Sequence, residues 1–151
     1  MSRTSLAIAV VDDEAPVRKA LGRLLRAAGY GVATFGSGSE FLESLRASRP
    51  DCAILDLHLP GLSGLEVQQE LSQQHISTPC IIITGKDEPG TSERALASGA
   101  AAYLRKPLDE AELLAAINHA VPESAIRGKA TAVAMSDKGI NPKTQISGAV
   151  Q

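Results

Sequence analysis

Five short, largely apolar stretches alternate along this chain with segments whose apolar residues recur at helical spacing. The stretches are residues 6–11, 31–35, 51–56, 79–84 and 101–104. A strand-length run that is apolar throughout is typical of a strand buried on both faces, as in a parallel sheet. Regular alternation of such strands with helices indicates an α/β domain with right-handed crossovers. We therefore predict a five-stranded parallel sheet with five helices packed on its two faces.

The segments between the strands carry helix-start signals of unequal strength. Residues 15–28 form the first predicted helix, and the second, third and fifth begin with capping-box spacing. The capping pairs are Ser37 with Glu40, Ser63 with Glu66, and Asp109 with Glu112. The fourth segment, residues 91–98, lacks such a pair and has Leu96 as its only large apolar residue. We expect the fourth helix to be the least stable and the easiest to move.

Polar residues follow four of the predicted strands. Asp12 and Asp13 end the first strand, Asp56 the third and Thr84 the fourth, while the fifth runs into Lys106. In open parallel sheets, chemistry gathers outside the carboxyl ends of the strands. Converging carboxylates repel one another unless a cation lies among them, and oxygen ligands of this kind suit Mg²⁺. The alternative interpretation is a solvated turn, with acidic residues favoured at the start of the following helix.

Composition limits the possible functions. The chain has 151 residues, which suits one domain, and a formal net charge of -2, which gives no general attraction to nucleic acid. Two Phe, two Tyr and no Trp leave little for base stacking. No long hydrophobic region precedes the first strand, so the sequence shows neither a signal peptide nor a membrane span. We expect a cytoplasmic protein that binds neither nucleic acid nor membrane directly.

The two cysteines are too few for a disulfide framework. Cys52 lies four residues before Asp56, and Cys80 lies four residues before Thr84. If these strands are adjacent, the two thiols could be neighbours, and a latent redox contact is one hypothesis. Burial as small apolar side chains is the alternative.

Together these residues resemble the receiver domain of bacterial two-component response regulators, the CheY-like fold. The resemblance covers roughly residues 5–121, and its motifs stand in family order and at family spacing. They are Asp12-Asp13, Asp56 followed by Leu59-Pro60-Gly61, Thr84-Gly85, Gly99-Ala100, Tyr103 and Lys106-Pro107. The segments at residues 10–14 and 83–85 look most like receivers of FixJ-type transcription regulators. The resemblance implies a strand order of 2-1-3-4-5.

The resemblance also implies a phosphorylation switch built on Asp56. By analogy, Asp56 is the nucleophile that takes a phosphoryl group from phosphohistidine on a sensor histidine kinase or a histidine phosphotransfer protein. Asp12, Asp13, Asp56 and the backbone carbonyl of His58 would ligate Mg²⁺, with Asp12 acting directly or through a water. Catalysis in such a site is mainly positioning and electrostatics.

Four further residues receive roles by the same analogy. Lys106 would pair with a phosphoryl oxygen, Thr84 would donate a hydrogen bond to another, and Gly85 would keep the approach to Asp56 open. Thr84 would then move toward the phosphate and Tyr103 would turn inward behind it, which changes the surface of helix 4, strand 5 and helix 5. Family members commonly hold the bond corresponding to Lys106-Pro107 in the cis form, which is accessible to X-Pro bonds.

Two positions at the expected rim of the site depart from the commonest choices in the family. His58 follows Asp56 by two residues, and Lys86 follows Thr84 by two residues. We expect both to flank the entrance to the phosphoryl group, and we hypothesise that Lys86 alters the lifetime of that group. A tolerated, exposed side chain is the alternative for each.

The domain organisation expected from the sequence is a receiver at residues 1–121 and a flexible tail at residues 122–151 with no second domain. The tail has few large apolar residues and no sustained period. Residues 130–135 could add an edge strand or dock on a partner. Thirty residues are too few for the helix-turn-helix domain that usually follows FixJ-type receivers.

We therefore expect a single-domain response regulator rather than a classical enzyme. It would bind a downstream protein when phosphorylated, form a phosphorylation-dependent homodimer, or pass phosphoryl groups along a relay. The receiver portion of a truncated transcription regulator is an alternative. An aspartyl-nucleophile phosphatase would need a second Asp where His58 stands, and a flavodoxin-like carrier would need a hydroxyl- and glycine-rich loop where Asp12, Asp13 and Glu14 follow the first strand.

Overall fold

The computed structural model describes residues 6–122 and contains five strands that alternate with five helices. The strands are β1 (Ala7–Val11), β2 (Gly31–Phe35), β3 (Cys52–Asp56), β4 (Cys80–Thr84) and β5 (Ala102–Arg105). The helices are α1 (Ala15–Ala27), α2 (Gly38–Ser44), α3 (Gly64–Gln73), α4 (Thr91–Ala97) and α5 (Glu110–Ala120). The predicted tail and the strand considered at residues 130–135 lie outside the described residues, apart from Pro122.

All five strands are parallel and stand in the order β2-β1-β3-β4-β5. The predicted α/β fold and strand order are confirmed. The chain turns to one side of β1 to form β2 and then returns to the other side to form β3. The carboxyl ends of β1 and β3 therefore flank a switch point, where open parallel sheets place their ligand sites.

The sheet separates two apolar cores. One core packs α2, α3 and α4 on one face through Phe41, Val67, Leu71 and Ala95, among others. The second core packs α1 and α5 on the opposite face, and its helical members are Leu21, Leu25, Leu113 and Ile117. Every residue of β3 and β4 is buried, as expected for central strands that are covered on both faces.

The predicted helix starts differ in how completely they are capped. Ser63 and Glu66 form both bonds of a capping box at the start of α3, and Asp109 accepts the amide of Glu112 at the start of α5. At α2, Ser37 accepts the Glu40 amide, but the Glu40 carboxylate accepts the Gly36 amide instead of completing the box.

The N-cap residue of helix α4 is Gly90, so the helix starts without a side-chain cap. Leu96 is 50% exposed, so the one large apolar side chain of this helix does not anchor it to the core. The buried residues of α4 are the smaller Thr91 and Ala95. The low stability expected of α4 stays a prediction.

The two thiols lie on opposite faces of the sheet, so the hypothesis that they are neighbours is wrong. The register pairs Cys80 with Ala53 rather than with Cys52. Because successive side chains of a strand point to opposite faces, Cys52 joins the core beneath α1 and α5 while Cys80 joins the other core. Both cysteines are free and buried. Within residues 6–122, no helix is both long and apolar enough to cross a bilayer.

Candidate functional site

Three carboxylates meet at the carboxyl ends of β1 and β3. The register places Val11 beside Leu55, so Asp12 and Asp13 emerge next to Asp56. Carboxylate oxygens of Asp12, Asp13 and Asp56 lie within 4.8 Å of one another. Asp12 and Asp56 are buried, whereas Asp13 is exposed. The arrangement offers a hard cation oxygen ligands from the ends of two different strands.

Lys106, directly after β5, reaches two of these carboxylates. The Nζ atom of Lys106 lies 2.9 Å from an Asp12 oxygen and 3.3 Å from an Asp56 oxygen. The Lys106-Pro107 peptide bond is cis, as the resemblance implies. Two buried carboxylates thus share one ammonium group, and the buried part of the site keeps an excess negative charge.

Glycine is required where α3 approaches the end of β3. A Cβ atom on Gly64 would lie 2.6 Å from the carbonyl oxygen of Asp56 and 3.2 Å from the Cα atom of Leu57. Both neighbours are backbone atoms of the segment that carries the nucleophile candidate. The amide of Gly64 also donates to the carbonyl of Leu57, at 3.1 Å. The start of α3 therefore fixes the backbone directly after Asp56.

Burial and the surrounding charges shift the pKa values of both Asp56 and Lys106. Burial raises the pKa of the Asp56 carboxyl, and the Asp12 carboxylate adds to the rise, although the His58 amide and Lys106 oppose it. Burial also lowers the pKa of Lys106, but its hydrogen bond to Asp12 and the charges of Asp56 and Asp12 outweigh this, so the pKa is raised overall. Lys106 is therefore a cation at neutral pH.

A cavity of about 300 Å³ opens in front of Asp56. Its lining consists of the residues Asp13, Glu14, Asp56, His58, Gly85, Lys86 and Lys106. The predicted rim residues His58, Gly85 and Lys86 thus lie at the same opening, and the His58 ring nitrogen is 3.4 Å from the carbonyl of Lys86. A Cβ atom on Gly85 would lie 3.6 Å from Lys106 Cδ, an ordinary contact, so glycine here leaves space without being sterically required.

Thr84 is fully buried and does not line this cavity. Its hydroxyl donates to the carbonyl of Lys86 at 3.0 Å and accepts the amide of the same residue at 3.0 Å. The hydroxyl is thereby committed to the β4–α4 loop in this structure. A hydrogen bond donated by Thr84 to a group bound at Asp56 requires the bond that it donates to the Lys86 carbonyl to break.

Tyr103 points toward the same loop and is partly buried. Its hydroxyl donates to an Asp87 oxygen at 2.8 Å, and the other oxygen of that carboxylate accepts the Arg105 guanidinium. Burial raises the pKa of the Tyr103 phenol to about 12, and the Asp87 hydrogen bond contributes. The hydrogen bonds from Arg105 and Tyr103 hold the pKa of Asp87 below its usual range.

Three residues of the site were not singled out from the sequence. Glu14 lines the cavity and reaches Lys106 at 3.5 Å, and its position directly after the acidic pair was a usable signal. Gly64 follows the predicted cap Ser63, but its close approach to Asp56 depends on the helix-to-strand packing. Asp87 meets Tyr103 across 16 residues of chain, and no spacing rule indicates such a pair.

Comparison with known proteins places these features in a family. The model of the response regulator receiver domain matches residues 8–118. Nodulation protein W of Bradyrhizobium diazoefficiens is 40% identical over 114 residues, covering 76% of this chain and 50% of that protein. The transcriptional regulatory protein FixJ of the same organism is 34% identical over 127 residues, covering 84% of this chain and 62% of that protein.

Solved structures agree with the sequence matches. A receiver domain protein from Clostridium thermocellum superposes with a TM-score of 0.74 at 31% identity, covering 80% of this chain and 98% of that one. The present chain spans between half and two thirds of the length of the two curated relatives named above. The chain belongs to the response regulator receiver domain family, which confirms the resemblance found in its sequence.

Proposed function

We propose that Asp56 accepts a phosphoryl group and that this modification switches a protein contact. One observation carries the proposal: of the three clustered carboxylates, only Asp56 both contacts Lys106 and lines the cavity. Asp12 is fully buried, with one oxygen bound to the Glu14 amide and the other to Lys106. Asp13 is exposed and suits a role as a metal ligand rather than as a nucleophile backed by a cation.

The reaction proposed is a displacement at phosphorus. A carboxylate oxygen of Asp56 forms a bond to phosphorus, and the bond from phosphorus to the donor breaks, its electron pair leaving with the donor. The donor is phosphohistidine on a sensor histidine kinase or on a histidine phosphotransfer protein, since receiver domains of two-component systems interact with such proteins. Lys106 stays next to the transferred group and neutralises part of its charge.

Divalent metal fits the donor set of the site. The carboxylates of Asp12, Asp13 and Asp56 are hard oxygen ligands within 4.8 Å of one another, and with the backbone carbonyl of His58 they would hold Mg²⁺. Bound there, Mg²⁺ would offset charge on the phosphoryl oxygens. Burial and the Asp12 carboxylate raise the pKa of Asp56 although Lys106 opposes the rise, and a divalent cation bound there would favour the ionised form further.

Thr84 and Tyr103 provide the proposed readout. Thr84 leaves the Lys86 backbone to donate to a phosphoryl oxygen, and Tyr103 then turns inward behind it. The surface formed by α4, β5 and α5 changes as a result, and the absence of a side-chain cap at α4 favours such movement. In this proposal the chain takes part in its own phosphorylation and dephosphorylation and acts on no other substrate. A downstream protein or a second copy of the chain recognises the changed surface.

Phosphorylation with a small donor tests the proposal. Wild type, incubated with acetyl phosphate and Mg²⁺, should take up one phosphoryl group that Asp56→Asn does not take up, and chelation of the metal should prevent the uptake. Equal labelling of both proteins would contradict Asp56 as acceptor. Size-exclusion chromatography of the labelled wild type then separates a homodimer from a monomer that binds another protein.

Lys86 is proposed to influence how long the phosphoryl group persists. Lys86 and His58 line the opening through which attacking water must pass. We expect Lys86→Ala to change the dephosphorylation rate measured after the donor is removed. An unaltered dephosphorylation rate would remove Lys86 from the account.

The receiver part of a longer transcription regulator is a second candidate. The curated relatives favour it, because FixJ and nodulation protein W extend well beyond the part that this chain matches. The intact mass of the protein isolated from its natural source distinguishes the two candidates.

A further inference from the structure

Asp87 ties the β4–α4 loop to strand β5 through both of its carboxylate oxygens. Oδ1 accepts the Tyr103 hydroxyl at 2.8 Å, and Oδ2 accepts the Nε atom of Arg105. Tyr103 and Arg105 are two residues apart on β5, so their side chains stand on the same face of the sheet. One carboxylate therefore holds two neighbouring side chains of the edge strand.

Lys86, the residue before Asp87, is hydrogen-bonded through its backbone to Thr84. The backbone of Lys86 both accepts from and donates to the Thr84 hydroxyl. If the hydroxyl turns to donate toward Asp56, it gives up the bond that it donates to the Lys86 carbonyl, and among the described contacts that carbonyl keeps the His58 ring nitrogen at 3.4 Å. The hydrogen bonds of Thr84 to Lys86 and of Tyr103 to Asp87 thus meet at two consecutive residues of the β4–α4 loop.

We propose that Asp87 is a positioning residue, which holds Tyr103 against the β4–α4 loop and so opposes the movement of Thr84 toward Asp56. The inference rests on the proposed function, in which Thr84 and Tyr103 change position together. In the proposed mechanism, a carboxylate that binds Tyr103 only in the position it holds in this structure stabilises the resting state by its differential contacts. In this proposal, phosphorylation breaks the hydrogen bond between Tyr103 and Asp87. Removal of the Asp87 carboxylate therefore favours the arrangement in which Thr84 has moved toward Asp56.

The contact itself is tested without any ligand. The chain has two tyrosines, so ¹³C-labelled tyrosine gives two sets of ring signals, and Tyr30→Phe identifies the set that belongs to Tyr103. Asp87→Ala should shift the Tyr103 ring signals and leave those of Tyr30 in place. Glu88→Ala is the matched control: it removes the adjacent exposed carboxylate, which acts on Tyr103 through its charge but is not hydrogen-bonded to it among the described contacts, so it should shift the Tyr103 signals less than Asp87→Ala does.

The coupling is tested with beryllofluoride and Mg²⁺ as a stand-in for the phosphoryl group. Because an exposed pair shifts a two-state equilibrium modestly, Asp87→Ala should bind the probe about two- to fivefold more tightly than wild type. Tyr103→Phe, which removes the hydroxyl donor but keeps the ring, should reproduce part of that gain. In the Tyr103→Phe background, Asp87→Ala should add less than it adds alone.

The possible outcomes separate the inference from the function on which it rests. Unchanged Tyr103 signals in Asp87→Ala would overturn the contact. Shifted signals with unchanged or weaker binding of the probe would overturn the coupling to Asp56. If wild type fails to bind the probe at all, the proposed function fails, while the ring signals still decide whether Asp87 positions Tyr103.

Discussion

Replacing Asp56 by Asn removes one of the two buried carboxylates that share Lys106, and we expect the variant to be more stable than wild type without divalent metal. Asn keeps the size of the side chain, and its amide oxygen can still accept the His58 amide that binds Asp56 at 3.0 Å. Lys106 keeps its partner Asp12 at 2.9 Å, so the change leaves no cation unpaired. The substitution removes the charge of the second carboxylate and places the Asn NH2 group where the oxygen 3.3 Å from Lys106 Nζ lies in wild type.

The magnitude follows from three opposing contributions. At an effective dielectric constant of about 20, attraction to Lys106 across 3.3 Å contributes roughly 5 kcal/mol, and repulsion from Asp12 across a separation of up to 4.8 Å takes back about 3.5 kcal/mol. Burying a carboxylate costs several kcal/mol more, which exceeds the remaining attraction. We expect Asp56→Asn to raise the free energy of unfolding by about 1–2 kcal/mol near pH 7.

The pH dependence has a definite sign. The folded-state pKa of Asp56 is raised, so the folded protein binds this proton more readily than the unfolded chain does. The contribution of Asp56 to stability is therefore fully present below the unfolded-state value of about 3.9 and is lost as the pH rises through the folded-state pKa. The advantage of the variant should grow over that range and then level off.

Urea unfolding in a metal chelator, at fixed ionic strength and at several pH values from about 4, near the unfolded-state pKa, to slightly basic, measures this difference. Glu88→Gln serves as the control, because it makes the same chemical change at an exposed position, where substitutions have small effects. An Asp56→Asn variant that is less stable than wild type at neutral pH would refute the electrostatic reasoning. So would an advantage that does not depend on pH.

Two further predictions concern packing. Gly64→Ala should lower the free energy of unfolding by about 1–3 kcal/mol, because its Cβ atom would lie 2.6 Å from the Asp56 carbonyl oxygen, whereas Gly85→Ala should be nearly neutral in the same urea titration. Equal effects of the two substitutions would contradict the close approach of α3. Burial raises the pKa of the Cys52 and Cys80 thiols to about 12, so neither should react with a disulfide reagent near pH 8 until the protein is unfolded. Rapid reaction of one thiol in the native protein would show that its strand is not buried.

The sequence was sufficient to predict which strand ends carry the site. Parallel topology brings carboxyl ends to one edge, so Asp12, Asp56 and Lys106 could be expected together from their positions after apolar runs. The same reasoning did not predict correctly how Cys52 and Cys80 lie relative to each other. Each cysteine lies four residues before a polar residue at its strand end, which suggested that the two cysteines pair across the strands. The register instead pairs Asp56 with Ile83 and Ala53 with Cys80, and this shift of one residue puts the two thiols on opposite faces of the sheet.

Side-chain contacts between elements could not be predicted from the sequence, for a different reason. Thr84 bonds to the Lys86 backbone because of a local rotamer and loop conformation, which carry no periodic signal. Asp87 meets Tyr103 only because the β4–α4 loop passes over β5. Such contacts arise from packing, and the sequence pattern determines only that the elements exist.

The most direct test of the account is to locate the phosphoryl group among three carboxylates that lie within 4.8 Å of one another. Borohydride reduces an aspartyl phosphate to homoserine, so reduction after treatment with acetyl phosphate and Mg²⁺ marks the acceptor for peptide mass spectrometry. The account predicts homoserine at position 56 alone. Homoserine at position 12 or 13, or none in a folded protein saturated with donor and metal, would contradict it.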